Sequence, residues 1–219
     1  MPYIGAMQQS LFDADGGKEA LAPGATLLRG FARKRDVALL GAIEAISAHA
    51  PFRHMVTPGG FEMSVAMTNC GAAGWVTDRS GYRYQAHDPQ SGAPWPAMPA
   101  GFLALADEAA TAAGFATFVP DACLINRYEP GTKLSLHQDK DEADYAHPIV
   151  SVSLGLAATF QFGGPKRTDP VRKFTLEHGD VVVWGGPSRL FHHGVLTLKS
   201  GEHPLTGHRR FNLTLRKAL

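Results

Sequence analysis

Beyond Asp121 the chain carries eight short segments of alternating or wholly apolar character, and no other feature narrows the fold as far. They are CLINRY (123–128), KLSLHQD (133–139), PIVSVSLG (148–155), TFQFGG (159–164), KFTLE (173–177), DVVVWGG (180–186), FHHGVL (191–196) and RFNLTLR (210–216), separated by glycine, proline and aspartate. Short alternating segments with turn residues between them and little helical period specify a double-sheet β-sandwich or barrel, of which the jelly roll is the eight-strand form. The runs IVSVSL and DVVVW are apolar at most positions, as strands in the middle of a sheet must be.

Ahead of this half the pattern differs. Helical spacing over residues 34–49, with Val37, Leu40 and Ile43 recurring, stops at Pro51, and a second helix is expected over 101–113, closed by Gly114. Residues 52–100, rich in Gly, Pro, Thr and aromatic side chains, read as hairpins and loops with strand-like pieces such as EMSVAMTNC (62–70). The expected organisation is a poorly ordered leader over 1–20, a helix-and-loop part over 21–120 and the β-sandwich over 121–219, together one structural unit of mostly β, α+β class.

A chain of 219 residues, 44% hydrophobic and 19% charged, can bury a real core and sits within the size of one domain. Cys70 and Cys123 are too few for a disulfide scaffold and form no C-x-x-C pair, so a reducing, cytoplasmic setting is the economical reading. The opening MPYIGAMQQS has no basic stretch leading into an apolar core, and no run of roughly 18 apolar residues occurs anywhere, which argues against secretion and membrane spanning. The net charge of +1 conceals an asymmetry: residues 1–120 hold 8 Lys+Arg against 10 Asp+Glu, and residues 121–219 hold 13 against 10. A phosphate-bearing partner would be met in the second half, by Lys133, Lys140, Lys166, Arg167, Arg172, Lys173 and Arg189, although any one of these taken singly reads as a solvated surface charge.

Within LSLHQDKDE (134–142), His137 and Asp139 would share one face of a strand, since residues i and i+2 do. That is half of a metal site. The third ligand stays open among His147, His178, His192, His193, His203 and His208, with FHHGVL the best context; neighbouring His192 and His193 must face opposite sides there, so one points inward. Two imidazoles and a carboxylate that leave other coordination positions free suit non-haem Fe(II) holding a co-substrate and oxygen. In RRFNLTLR, Arg210, Asn212, Thr214 and Arg216 alternate with Phe211, Leu213 and Leu215, so a strand would set two permanent cations on one face. Buried arginines need anions, and a dicarboxylate offers one carboxylate to each; a solvent-exposed edge strand would show the same alternation.

Four ordered motifs together resemble the AlkB family of Fe(II)- and 2-oxoglutarate-dependent dioxygenases: NRYxPGxKLSLHQDKDE (126–142), LEHGDVVVWGG (176–186), RLFHHG (189–194) and RxNxTxR (210–216). The resemblance runs from roughly residue 21 to 216 and implies a double-stranded β-helix core with flanking helices and an N-terminal nucleotide-recognition lid. It implies His193 as the ligand that joins His137 and Asp139, with His192 facing away. It further implies Arg210 on the distal carboxylate of 2-oxoglutarate, Arg216 near its metal-chelating end, and Asn126, Tyr128 and Asn212 as added polar contacts. Thr57, Ser64, Met67, Trp75 and Tyr82 would belong to the lid, and Lys133, Gln138, Lys140 and Arg167 would contact the phosphodiester backbone. Asp141 would be the acidic group at the base-pairing edge, both catalytic and substrate-binding.

The activity so implied consumes Fe(II)-bound 2-oxoglutarate and O2, releases succinate and CO2, and hydroxylates an N-alkyl carbon, whose hemiaminal collapses to aldehyde and repaired base. The expected substrates are 1-methyladenine and 3-methylcytosine in DNA, single-stranded by preference, with double-stranded DNA and RNA also open, since the base must leave its stack to be reached. A monomer with no membrane association is expected. Two other readings compete: a dioxygenase of the same scaffold acting on tRNA, protein or a small molecule, and a zinc-binding β-sandwich that uses the triad for hydrolysis or structure. The Arg210/Arg216 face argues against the last, because a hydrolase has no use for a dicarboxylate clamp.

Overall fold

The fold is that of a computed structural model, which describes residues 17–219. All eight anticipated segments are strands, and they divide evenly between two sheets. Ala122–Tyr128 (β7), Ile149–Gly155 (β9), Val181–Trp184 (β12) and Arg210–Arg216 (β14) lie in the larger sheet, and Leu134–His137 (β8), Ala158–Phe162 (β10), Arg172–Leu176 (β11) and His193–Val195 (β13) form the smaller. The chain alternates between the sheets except at the β10–β11 pair, both in the smaller one, which is the jelly-roll topology that the spacing predicts.

The larger sheet does not stop at those four. Its full order is β1-β2-β12-β9-β14-β7-β4-β3, with Lys18–Ala22 (β1) and Ala25–Leu28 (β2) on one edge, and Glu62–Gly71 (β4) and Arg53–Val56 (β3) on the other. The expected boundary at residue 120 therefore fails to separate the sandwich from what precedes it, because β4 pairs with β7 residue for residue from Ala66↔Arg127 to Gly71↔Ala122. Residues 18–20, assigned to the leader, begin β1 instead; the leader's residues 1–16 lie outside the described residues. Gly74–Asp78 (β5) and Gly81–Gln85 (β6) form a separate two-stranded hairpin.

Period-2 alternation decides which face each strand presents. Val181 and Val183 pack with Leu213 and Leu215 into a cluster beneath the helices Asp36–His49 (α1) and Ala100–Ala112 (α2), while Val182 and Trp184 face the smaller sheet with Phe160 and Phe162. In α1 the buried stripe is Leu39, Ile43 and Ile46, whereas Val37 of the anticipated stripe is 68% exposed; the helical period holds, and its phase is set by which stripe meets the sheet. A left-handed Gly114, φ 93°, follows α2, a conformation only glycine adopts without penalty. Among the described residues no helix is long and apolar enough to cross a membrane.

Candidate metal centre and active site

The open space between the two sheets is a cavity of about 640 Å³, lined by His137, Asp139, His193, Arg210, Arg216 and every other residue to which the family resemblance gives a role; His147, His178, His203, His208, Lys166, Arg172, Lys173 and Arg189 do not line it. His137 closes β8 and His193 opens β13, and these two are direct Cα partners in the ladder. The register slips immediately after His193, and Gly194 passes so close to β8 that a Cβ there would sit 2.7 Å from the Leu134 carbonyl oxygen. Only glycine permits that approach, which gives the H-G pair its structural reason. Asp139 lies beyond the end of β8 rather than one strand step along it. The shared-face argument carried the strand through Asp139; the ladder ends two residues earlier, and the side chains of His137 and Asp139 nevertheless meet, Nε2 lying 3.6 Å from Oδ1.

The three ligand atoms lie within 4.8 Å of one another, with His137 Nε2 and His193 Nε2 each 3.6 Å from an Asp139 oxygen. Each imidazole holds its other nitrogen against a backbone carbonyl: His137 Nδ1 on Ser135 O at 2.8 Å, and His193 Nδ1 on Phe191 O at 3.0 Å. An N–H donated there fixes the tautomer that leaves both Nε2 lone pairs facing Asp139, as metal-ligating histidines require. Burial, then the adjacent His137, pushes His193 down to about 4, so its imidazole is neutral and coordinating at neutral pH. Asp139 is held well below the usual carboxylate range; burial alone would raise it, and Arg216 with the two histidines overrides that. Two imidazoles and one carboxylate are the donor set of a facial Fe(II) site, and the residues present fit that metal.

The two arginines of β14 differ. Arg210 is buried, touches Ser153 Oγ at 3.0 Å and the Tyr128 ring at 4.8 Å, and forms no ion pair among the described residues. Among the described residues its Nε and Nη1 have no hydrogen-bond partner, nor does Asn126 Oδ1 or Trp184 Nε1, and all three residues line the cavity. Burial pulls its guanidinium below the ordinary value against a smaller favourable effect of Tyr128. A buried cation that lines an open cavity and leaves two donors unused is the observation that fits a carboxylate-bearing co-substrate. Arg216 is instead engaged: Nη2 and Nε reach Asp139 Oδ2 at 2.7 and 3.1 Å, Nε lies 3.3 Å from Glu142, and Nη1 donates to the Tyr84 hydroxyl at 3.2 Å. It lies at the metal end as anticipated, yet it grips a metal ligand rather than standing open to a co-substrate.

The 2OG-Fe(II) oxygenase superfamily matches residues 24–216. The chain is 62% identical over 206 residues to the Alpha-ketoglutarate-dependent dioxygenase AlkB of Escherichia coli (strain K12), covering 94% of this chain and 95% of that protein. It is 61% identical over 201 residues to the protein of the same name in Salmonella typhimurium, covering 92% and 93%. The chain belongs to the AlkB family of 2OG-Fe(II) oxygenases. Among solved structures, OsALKBH1 superposes with a TM-score of 0.82 at 30% identity, covering 92% of this chain and all of that one. This AlkB-family enzyme is therefore an Fe(II)- and 2-oxoglutarate-dependent dioxygenase, with a jelly-roll core and a His-Asp-His site.

The remaining candidates sort by what they touch. Trp75, on β5, donates its indole N–H to Asp141 at 2.7 Å and stacks on Tyr82 of β6, ring centroids 5.6 Å apart and planes 18° apart. Asn126 donates to Asn212, which is bonded in turn to Ser151, Val152 and Thr214, so Asn212 braces the cavity floor. Ser64 exchanges hydrogen bonds with the Lys133 backbone, Gln138 donates to Leu190 O and Pro165 O, and Arg167 donates to Leu136 O. Thr57 accepts from the Phe61 amide, Met67 is fully buried, and Lys133 and Lys140 are exposed. His192 stays outside the ligand set, against Gly164 O at 3.2 Å, though it does line the same cavity.

Arg189 corrects the charge reading. Grouped with possible phosphate contacts, it is 3% exposed, paired with Glu142 at 3.1 Å, and donates to the Asp139 carbonyl at 2.8 Å. Glu142, Arg189, Tyr84 and Trp184 are the residues at the site that residue-type reasoning missed. Glu142 and Arg189 stood inside quoted motifs, where their nearness to the ligands was the available signal; Tyr84 lies in the hairpin and carried none.

Proposed function

We propose that this enzyme removes alkyl groups oxidatively from the base-pairing edge of nucleic-acid bases, with 1-methyladenine and 3-methylcytosine in single-stranded DNA as preferred substrates, acting as a cytoplasmic monomer. One observation carries the reading: a single cavity joins the His-Asp-His triad to an indole and phenol stack with a carboxylate on the indole N–H, and exposed lysines flank it. A base alkylated on that edge is a flat cation, and it meets an aromatic surface and an anion together at Trp75 and Asp141. Lys133, Lys140 and Arg167 lie on the same cavity, where a phosphodiester chain leading to an everted base would pass.

Bound Fe(II) supplies the oxidising chemistry, with 2-oxoglutarate and O2 as its co-substrates. His137, Asp139 and His193 would hold the metal, and the idle Nε and Nη1 of Arg210 would fix the distal carboxylate of the co-substrate so that its other end reaches the metal. Asp141 stabilises the cationic base, and the sandwich walls, lined by Leu124, Phe160 and Val195, exclude water from the reacting carbon.

The test is incubation with Fe(II), 2-oxoglutarate, ascorbate and a 3-methylcytosine oligonucleotide, with mass spectrometry following loss of one methyl group. Turnover that ceases without O2 or Fe(II) is the expected result. Succinate release with the oligonucleotide left intact would refute the nucleic-acid reading and leave the dioxygenase standing.

A further inference from the structure

The hairpin of β5 and β6 shares no ladder with either sheet. At its base Asn69 bonds both backbone groups of Trp75, each at 3.0 Å, and Trp95 donates to Gln85 O at 2.9 Å. Its other attachments are unusual. Trp75 and Tyr84 are direct cross-strand partners, and they hold consecutive carboxylates: Trp75 Nε1 donates to Asp141 at 2.7 Å, and the Tyr84 hydroxyl donates to Glu142 at 2.9 Å. The Trp75 contact is open to solvent, whereas Glu142 is 6% exposed and belongs to the cluster around the metal ligand.

Within that cluster the Tyr84 hydroxyl also accepts from Arg216 Nη1 at 3.2 Å, and the same guanidinium grips Asp139 Oδ2 through Nη2 and Nε. Arg189 completes the ring, with Glu142 on one side and the Asp139 carbonyl on the other. The Arg216–Asp139 bonds join buried groups and the two Tyr84 bonds are part-buried, a setting in which losing one partner disturbs the rest. A change at Asp139 therefore reaches the hairpin in two steps, through Arg216 and then Tyr84.

We propose that Tyr84 is a positioning residue that couples the β5–β6 hairpin to the metal ligand Asp139, so that metal binding tightens the hairpin and a seated hairpin tightens metal binding. The two effects are one coupling seen from either end and must be equal. The proposal rests on the metal triad and not on the nucleic-acid reading, so the test contains no nucleic acid.

The experiment measures amide hydrogen exchange in residues 74–85 of the full chain with and without saturating Mn(II), in the parent and in Tyr84→Phe, alongside Mn(II) affinity by electron paramagnetic resonance. In the parent, Mn(II) is expected to slow hairpin exchange about fivefold or more, the lower end of ordinary coupling between sites. In Tyr84→Phe the hairpin should exchange at the same rate with and without the metal, and Mn(II) affinity should fall by the same factor as the parent's exchange effect, about fivefold or more. Unchanged exchange in β9 and β14 verifies the fold of the variant. Trp75→Phe, which breaks only the outer contact, should loosen the hairpin yet keep its response to Mn(II). If Tyr84→Phe speeds hairpin exchange while the Mn(II) effect persists undiminished, Tyr84 is a packing residue and the coupling is refuted; absence of any Mn(II) effect in the parent refutes it equally.

Discussion

The two arginines of β14 should answer oppositely to the same substitution. Arg216 pairs with Asp139 and Glu142 at 2.7 and 3.3 Å, and replacing it with methionine leaves the buried Asp139 without its cation and Glu142 with Arg189 alone, a loss of about 3–5 kcal/mol. For a chain of this size each kcal/mol corresponds to about 2–4 °C in Tm, so Arg216→Met should melt about 6–20 °C lower. Arg210 is as deeply buried, but its Nε and Nη1 have no hydrogen-bond partner among the described residues. Burying idle donors costs about 1–3 kcal/mol each, whereas the bond to Ser153 returns about 1.5–3 kcal/mol. The Tyr128 ring beneath the guanidinium adds about 2 kcal/mol. These contributions nearly cancel, and Arg210→Met should leave the metal-free, co-substrate-free protein within about 1 kcal/mol of the parent.

The difference appears on adding Mn(II) and 2-oxoglutarate. At one hundred times its Kd the co-substrate should stabilise the parent by about 2.7 kcal/mol, and Arg210→Met should gain nothing measurable beyond the effect of the metal alone. Urea unfolding followed by circular dichroism, with and without metal and co-substrate, measures all of these quantities. If Arg210→Met destabilises the ligand-free protein as much as Arg216→Met does, or is stabilised normally by 2-oxoglutarate, then Arg210 is a structural cation and the assignment of its idle donors to a carboxylate is refuted.

His137→Ala and Asp139→Ala should abolish turnover, while His192→Ala, which removes a ring held against Gly164 O and outside the ligand set, should retain most of it; equal losses at His192 and His193 in steady-state assays would contradict the ligand set. Trp75→Ala removes both the stack on Tyr82 and the bond to Asp141, and should impair demethylation of 3-methylcytosine while uncoupled 2-oxoglutarate decarboxylation is retained; loss of both would signal a damaged fold. Oligonucleotide affinity should fall with rising salt, with a log–log slope of about −2 if Lys133, Lys140 and Arg167 each meet a phosphate on a single strand, and a flat response would exclude those contacts. Asp88 titrates below its ordinary value, because its bonds with Arg53 and the Gln90 amide outweigh the opposing effect of burial. Its folded pKa is depressed, so its stabilisation is present above the unfolded value and is lost as pH falls through the folded one. The stability difference between the parent and Asp88→Asn should accordingly hold steady above about pH 5 and shrink in acid, and a difference independent of pH would contradict the pairing.

Sequence by itself determined the rhythm and identity of the elements. Alternation and turn chemistry are local properties, so all eight C-terminal segments, their inward and outward faces and the cation-bearing face of β14 could be read directly. The metal ligands were legible in two steps: H-x-D marked one arm, several histidines competed for the third position until the family resemblance implied His193, and the His137↔His193 pairing of β8 and β13 brings that residue opposite. What only tertiary structure decided was non-local pairing. That β4 completes the large sheet beside β7, that Arg189 turns inward to Glu142 instead of outward to phosphate, and that Tyr84 reaches the metal cluster from a separate hairpin all depend on contacts between residues tens of positions apart. Side-chain type and spacing fix what a residue can bond; the packing of one sheet on another fixes which of the possible partners it meets. Arg210 and Arg216, alike in sequence and sharing one face of one strand, therefore differ in the structure: one is locked to a carboxylate, and the other faces the cavity with two donors to offer.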